Sequence, residues 1–243
     1  MHTELSPDRI YVTVDILILA VEEGKLRLML SPRTAPPYAG RWALPGRFVG
    51  LDESAESAAE GLLKEMLPRT NAFLEQLYTF TDVGRDPRGR VISTAYLAIV
   101  PTGRIGGPVE RGETPLVPFV AGLNEKGLWL KAEEGPALPS GELAFDHGRI
   151  IETGIQRLRG KVDYTDIAFR FLGTTESFSL SELQTVFQAI LDKEVDSSNF
   201  RRFIRARYED TGRMEPTRME QKGGRGRPAA LYRLIKYRNR ADG

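Results

Sequence analysis

Two stretches of the chain carry side chains whose types and spacing could do chemistry. The first, ALPGRFVGLDESAESAAEGLLKEMLP over residues 43–68, joins a strand signal to a run of helix formers. Carboxylates three and four residues apart share one helical face, where they could hold a hard divalent cation against a diphosphate. Here the corresponding face is Leu62, Glu65 and Met66. A single carboxylate between two apolar neighbours binds Mg²⁺ poorly. Glu56 and Glu60, four apart, read either as a displaced ligand pair or, far more commonly, as exposed helix glutamates. The second stretch, GRDPRGRVISTAYLAIV, places Arg85, Asp86, Arg88 and Arg90 in a turn between strands. If these guanidiniums converge with Arg47 and Arg33, they suit a diphosphate without a metal through bidentate charge-assisted hydrogen bonds, with Asp86 orienting one of them. Taken alone, RDPR reads as an ordinary polar turn whose ions pair with each other. No residue is assigned as catalytic or as a metal ligand.

A third chemical feature is charge. From Ser197 to Gly243 there are 13 Lys and Arg against 5 Asp and Glu, whereas the rest of the chain carries 21 against 28. The formal net charge of +1 thus conceals an acidic body and a basic, Arg-rich end, the pattern of a polyanion-binding module or of a solvated basic surface. The basic residues fall on particular elements. NFRRFIRARYE turns Phe200, Phe203 and Ile204 one way and Arg201, Arg202 and Arg205 the other. RMEPTRME and AALYRLIKY read as strands bracketing a Gly/Arg loop with Lys222, Arg225 and Arg227.

The elements that must position these groups follow from hydrophobic periodicity. IYVTVDILILA and KLRLMLS form a strand pair across the turn at Glu22–Gly24. Asp52 to Leu67 reads as a helix with Leu62, Leu63 and Met66 as its apolar stripe. LEQLYTFTDV, VISTAYLAIV, LVPFV and GLWLKA read as strands. From Asp146 the period becomes helical, through Ile150, Ile151, Ile155 and Leu158, and the domain boundary is placed there: 1–145 and 146–243. Ser179 and Glu182 make a capping box for an amphipathic helix through Leu183, Phe187 and Ile190. The turn DKEVD leads to Ser197 and Ser198 as candidate N-caps of the Arg-faced helix. Helix, tight turn, Arg-faced helix and basic hairpin is the order of a winged helix-turn-helix. Its second helix fits a major groove about 12 Å wide, with Ser198, Asn199, Arg201, Arg202 and Arg205 toward DNA and Lys222, Arg225 and Arg227 near phosphates. An α+β protein-interaction module with a charged face is the alternative.

Composition excludes several classes. With 41% hydrophobic residues the chain can build real cores, and no apolar run of 18 residues appears, so it is not read as a membrane protein. The absence of cysteine and of a secretory signal makes the cytoplasm the expected location. His147, one of two histidines, reads as a capping or interdomain hydrogen-bonding residue rather than a catalytic one. Trp42 is a candidate pocket wall, although Trp is more often core.

The first stretch resembles the Nudix signature GxxxxxEx7REUxEExGU, in which Glu53 and Glu65 are kept. Arg47 replaces the opening Gly, Gly61 the Arg, Leu62 and Met66 two Glu, and Pro68 the closing Gly. Together with WALPGRFV, EQLYTFTDVGRDPRGRVISTAYLAIV, LAFDHGRII, FSLSELQTVFQAI, SSNFRR and GRPAALYR, most of the chain resembles the NrtR family of Nudix-related regulators of NAD-metabolism genes. That resemblance implies an α+β protein, a Nudix-like α/β/α sandwich followed by a winged helix-turn-helix. It implies a transcriptional repressor, working as a homodimer on a palindromic double-stranded DNA operator, with ADP-ribose as effector and no required cofactor. It assigns Arg47, Arg85, Asp86 and Arg88 to the effector, to which the reading of the residues adds Arg33 and Trp42. A sugar-responsive regulator of the arabinose type and an active Nudix hydrolase with an appended winged helix are the alternative readings.

Overall fold

The computed structural model describes residues 6, 8–105, 109, 114–133, 136–220 and 230–235. The long β-branched segment predicted near the N-terminus is strand β1 (Ile10–Glu22), followed across the predicted turn by β2 (Lys25–Pro32), antiparallel to it. Two short strands, β3 (Trp42–Ala43) and β4 (Gly46–Phe48), pair with β2 and β1. Helix α1 (Ala55–Met66) begins at Ser54, whose side chain caps Ser57, and not at Asp52. β5 (Phe73–Phe80) and β6 (Arg90–Val100) follow; β6 lies parallel to β1, which reserves the loop between β5 and β6 for one end of the sheet. β7 (Val117–Asn124), β8 (Gly127–Ala132) and β9 (Ala137–Leu138) complete the order β5-β6-β1-β2-β7-β8-β9.

Alternation along β1 builds two cores. Val14, Ile16, Ile18 and Ala20 face Ala58, Ala59, Leu62 and Leu63 of α1. Leu17, Leu19 and Val21 face Ile150, Ile151, Ile155 and Leu158 of helix α2 (His147–Val162). The sheet is therefore a layer between two helices. Gly154 allows the close approach of α2, since a Cβ there would lie 2.1 Å from Leu17 Cδ2. Leu62, the position at which a carboxylate would matter most, is a core residue of the α1 layer.

After α2 come a short 3-10 turn, Ile167–Phe171, and strand β10 (Phe178–Ser179). The predicted capping box is present: Ser179 Oγ accepts from Glu182 N at 3.2 Å, and Glu182 Oε2 accepts from Ser179 N at 2.7 Å, opening α3 (Leu180–Leu191). α4 (Ser197–Ile204) is capped by Asp196, which accepts from Asn199 N at 2.8 Å, so neither Ser197 nor Ser198 is the N-cap. An aspartate offers the free N–H groups a charged acceptor at the positive end of the helix. A single π-helical turn, Arg205–Glu209, leads to the hairpin of β11 (Met214–Glu220) and β12 (Ala230–Leu234). β10-β12-β11 forms the small sheet. Phe169, Phe178 and Tyr208 meet edge to face in its core, and Phe187 packs on Phe200 between α3 and α4.

The helical segment from Asp146 does not separate cleanly from the sheet. α2 shares its buried face with β1, β7 and β8, and also packs on α3.

Candidate effector pocket and nucleic-acid interface

The loop between β5 and β6 delivers Arg85, Asp86 and Arg88 to the end of the sheet where β1 and β4 carry Asp15 and Arg47. They enclose a cavity of about 160 Å³ with Arg33, Phe48, Phe145 and His147. Arg85 is buried and forks onto Asp146, with Nε to Oδ2 at 3.0 Å and Nη2 to Oδ1 at 2.6 Å; Nη2 also lies 3.5 Å from Asp15 Oδ2. Burial lowers the pKa of this guanidinium, but the bonds to Asp146 and the charge of Asp15 outweigh it and hold the pKa above its ordinary value. Ser93 Oγ donates to the same Asp15 oxygen. His147 is buried at the first turn of α2 and its Nδ1 accepts from Leu44 N at 2.9 Å, while Nε2 lies 3.6 Å from Asp15 Oδ1. Burial pushes its pKa down despite Asp15 and Asp146, so the imidazole is neutral with its proton on Nε2. The bond from Leu44 N ties the first turn of α2 to the segment between β3 and β4. Asp146, the residue before α2, makes no capping bond; its carboxylate is committed to Arg85.

Asp86 grips Arg88 through Nε at 3.0 Å and Nη2 at 2.7 Å and also accepts from the Arg88 backbone N at 3.0 Å. Burial raises the Asp86 carboxyl, yet these bonds keep it below the usual carboxylate range. The predicted polar turn is thus real, and it forms one wall of the cavity. Phe145 stands between two cations: Arg33 at 4.8 Å and Arg88 at 5.7 Å from its ring centroid. Its φ of 53° is left-handed, a costly conformation for a bulky residue and one that clusters at functional sites. Arg33 spends its donors on the carbonyls of Pro37 (2.8 Å) and Ala35 (3.3 Å) and forms no ion pair among the described residues. Burial and then the neighbouring Arg88 lower its pKa.

Arg47 lines the same cavity, but its guanidinium turns to α1. It forks onto Glu53, at 2.9 and 2.7 Å, and reaches the Ala58 carbonyl at 3.3 Å. The Gly50 N–H and then Arg47 hold the Glu53 pKa below its usual value. Arg47 Nη2 lies 3.5 Å from where a Cβ on Gly61 would stand. Relative to the signature, Gly and Arg have exchanged places between positions 47 and 61, and from β4 the guanidinium reaches the side of α1 beside Gly61. Trp42 is not brought to the cavity: its ring packs edge to face on Phe119 at 4.8 Å, against the α2-side core. Sequence reasoning missed Asp15, Asp146, Phe48 and Phe145. Asp15, a carboxylate amid IYVTVDILILA, was a visible signal, since a buried charge needs a partner.

At the other module Ser198, Asn199, Arg201, Arg202 and Arg205 are all exposed along α4 and its continuation. Arg202 Nη2 donates to Asn199 Oδ1 at 2.9 Å, and Arg205 Nε lies 3.6 Å from Asp210. Lys222, Arg225 and Arg227 lie outside the described residues.

Residues 168–234 match the family described as the NrtR DNA-binding winged helix domain. Over 225 residues the chain is 30% identical to the ADPR responsive transcriptional repressor NtrR of Acinetobacter baylyi, covering 92% of this chain and 81% of that protein. The chain belongs to the NrtR family. Shewanella oneidensis NrtR, solved in complex with a 27mer DNA, superposes with a TM-score of 0.69 at 29% identity, covering 92% of this chain and 93% of that one. A MutT/nudix family protein from Enterococcus faecalis gives 0.74 at 26% identity, covering 94% and 89%. An ADP-ribose pyrophosphatase of Methanocaldococcus jannaschii is 31% identical over 152 residues, 61% of this chain and 78% of that protein.

Nudix signatures imply a divalent cation on the helix. The donors of this NrtR-family chain do not fit one. Leu62 is buried, Met66 is a thioether, and the Glu53 carboxylate is occupied by a guanidinium. Among the described residues no three Asp, Glu or His side chains are placed to hold a metal ion together.

Proposed function

We propose that this chain is a transcriptional repressor of NAD-metabolism genes whose Nudix-like module senses ADP-ribose or a close relative without hydrolysing it. The observation that carries the reading is the pairing of two features in one chain: a winged helix, and a signature helix whose metal-binding face has become Leu62 and Met66 while Arg47 holds Glu53. The Acinetobacter relative's name and the DNA-bound Shewanella structure support it. In this reading Arg33, Arg85 and Arg88 receive the diphosphate. The cavity of about 160 Å³ is smaller than the roughly 300 Å³ at which ligand pockets begin, so the effector displaces Arg88 from Asp86 as it enters.

Sensing is assigned to 1–145 and DNA binding to 146–243, with α2 as the shared element that touches both. Two copies present their α4 helices to successive major grooves of a palindromic operator, about 34–36 Å apart. The site of action is the cytoplasm, and no cofactor is required. No helix among the described residues is long and apolar enough to cross a membrane. The test is a gel shift on the DNA upstream of its own operon. ADP-ribose should release that DNA even with a chelator present, and Mg²⁺ with ADP-ribose should yield no AMP. Turnover to AMP at ordinary enzymatic rates would make the chain a hydrolase instead. Release by a pentose and not by ADP-ribose would favour a sugar sensor.

A further inference from the structure

The contact between α2, the β7–β8 hairpin and the end of α3 is incompletely satisfied. Arg159 of α2 donates Nε to the Ile190 carbonyl at 2.9 Å and Nη1 to the Leu123 carbonyl at 2.7 Å. Its Nη2 is buried and makes no hydrogen bond among the described residues, although Asp192 Oδ2 lies 3.9 Å away. That same oxygen accepts a long bond, 3.3 Å, from the indole Nε1 of Trp129. One carboxylate oxygen thus stands between two donors, held weakly by one and about 1 Å short of the other by ordinary hydrogen-bond geometry. Leaving a buried guanidinium N–H unmatched is costly, which favours a second arrangement in which Asp192 closes on Arg159.

Asp192 sits where the DNA-binding module meets α2 and the β7–β8 hairpin. It ends α3 in the left-handed conformation, φ 54°, at the turn into α4. Beyond it the two helices are tied into one unit: Gln184 Nε2 donates to Val195 O at 2.7 Å and Ser197 Oγ at 3.0 Å, and Phe187 packs on Phe200. A displacement of α3 at Asp192 therefore carries α4 with it. The other end of α2 lies in the effector pocket, where His147 bonds Leu44 and the adjoining Asp146 bonds Arg85. Twelve residues separate His147 from Arg159, about 18 Å of continuous helix. Helices in packed interfaces move as units by about 1–2 Å, the displacement this exchange requires.

We propose that Asp192 switches between Trp129 Nε1 and Arg159 Nη2, and that this exchange couples the pocket to the orientation of α4. The switch rests on the sensor reading above for the identity of its effector, but not for its existence. Two variants bias it in opposite directions. Trp129→Phe keeps the ring and removes the competing donor, so Asp192 moves toward Arg159. Asp192→Asn still accepts from the indole and tolerates the left-handed conformation, but loses the charge that draws it to Arg159. Trp129 is half-buried and Asp192 exposed, so both variants fold, which a melting curve verifies.

The measurement is operator affinity of the full chain without effector, then ADP-ribose affinity of the free protein. Relative to wild type, the two variants should move operator affinity threefold or more in opposite directions. Effector affinity should move the other way in each, as linkage demands. Shifts of the same sign, or both within twofold of wild type, would overturn the switch. Opposite operator shifts in a protein that ADP-ribose fails to release would leave the switch standing and remove the effector assignment. Normal release by ADP-ribose with unshifted variants would do the reverse.

Discussion

A guanidinium does two jobs at position 47 that the signature divides between a glycine and an arginine. The Arg47 side chain pairs with Glu53 and lies beside Gly61, which gives the loop from β4 to α1 an internal ion pair. A double-mutant cycle tests this. Arg47→Gly should lower the melting temperature by stranding Glu53. Gly61→Arg in the Arg47 background crowds two like charges, whereas in the Arg47→Gly background it restores Glu53's partner. The double variant should therefore recover most of the loss, with favourable coupling between the two sites. Helix propensity changes identically in both arms at position 61 and cancels. Simple additivity would mean that the two exchanges are unrelated. Read along the chain, these positions are two separate departures from a pattern; only the fold puts them in contact. The same holds for Arg85 with Asp146, 61 residues apart, and Leu44 with His147, 103 apart. Arg33, Arg85, Asp86 and Arg88 were legible as a charged group because short guanidinium-rich turns announce themselves. That Asp15, Asp146 and the strained Phe145 join them was not, because these reach the pocket from β1 and the start of α2.

Elements with their own local signals were read almost to the residue. The Ser179–Glu182 box, the alternation of β1, and the hairpin either side of the Gly/Arg loop all depend on neighbours within a few positions. What failed was the partner of an element. α2 shows a helical stripe whose period is the same whether it faces a sheet or another helix, and it faces both. The N-cap of α4 shifted to Asp196 because three adjacent residues could each cap, and the charged one did. That cap starts a helix whose outward face is Asn199, Arg201, Arg202 and Arg205, with Phe200 and Ile204 locked into the core. Arg202 is held over Asn199 by a hydrogen bond to its Oδ1. Arg202→Ala should cost about 1–3 kcal/mol of operator affinity, roughly 5- to 150-fold, and relax preference at one operator position if the fork reads a base edge. Equal weakening on all sequences would place Arg202 on a phosphate.

The whole molecule adds a property no single element has: the charges are segregated. The segment from Ser197 onward carries 13 basic against 5 acidic residues, and the rest 21 against 28. A polyanion approaching the acidic body is repelled, so DNA engages through the basic end. Each phosphate neutralised there releases condensed counterions, and log K should fall linearly with log salt at about 0.9 per phosphate. With about 6–10 phosphates contacted, affinity falls by about 10³ to 10⁵ between 50 and 200 mM salt. The pocket proposed for the effector should obey different physics. Arg85 and Arg88 already hold Asp146 and Asp86 as internal counterions, so an incoming diphosphate exchanges one protein-held anion for another and displaces few ions from solution. Its affinity should therefore change far less over the same range. Calorimetry of ADP-ribose binding beside operator titrations at matched salt separates the two slopes. Parallel slopes would mean that the pocket cations are recruited from solvent exposure, and that the buried pairs around Arg85 and Arg88 open before the effector arrives.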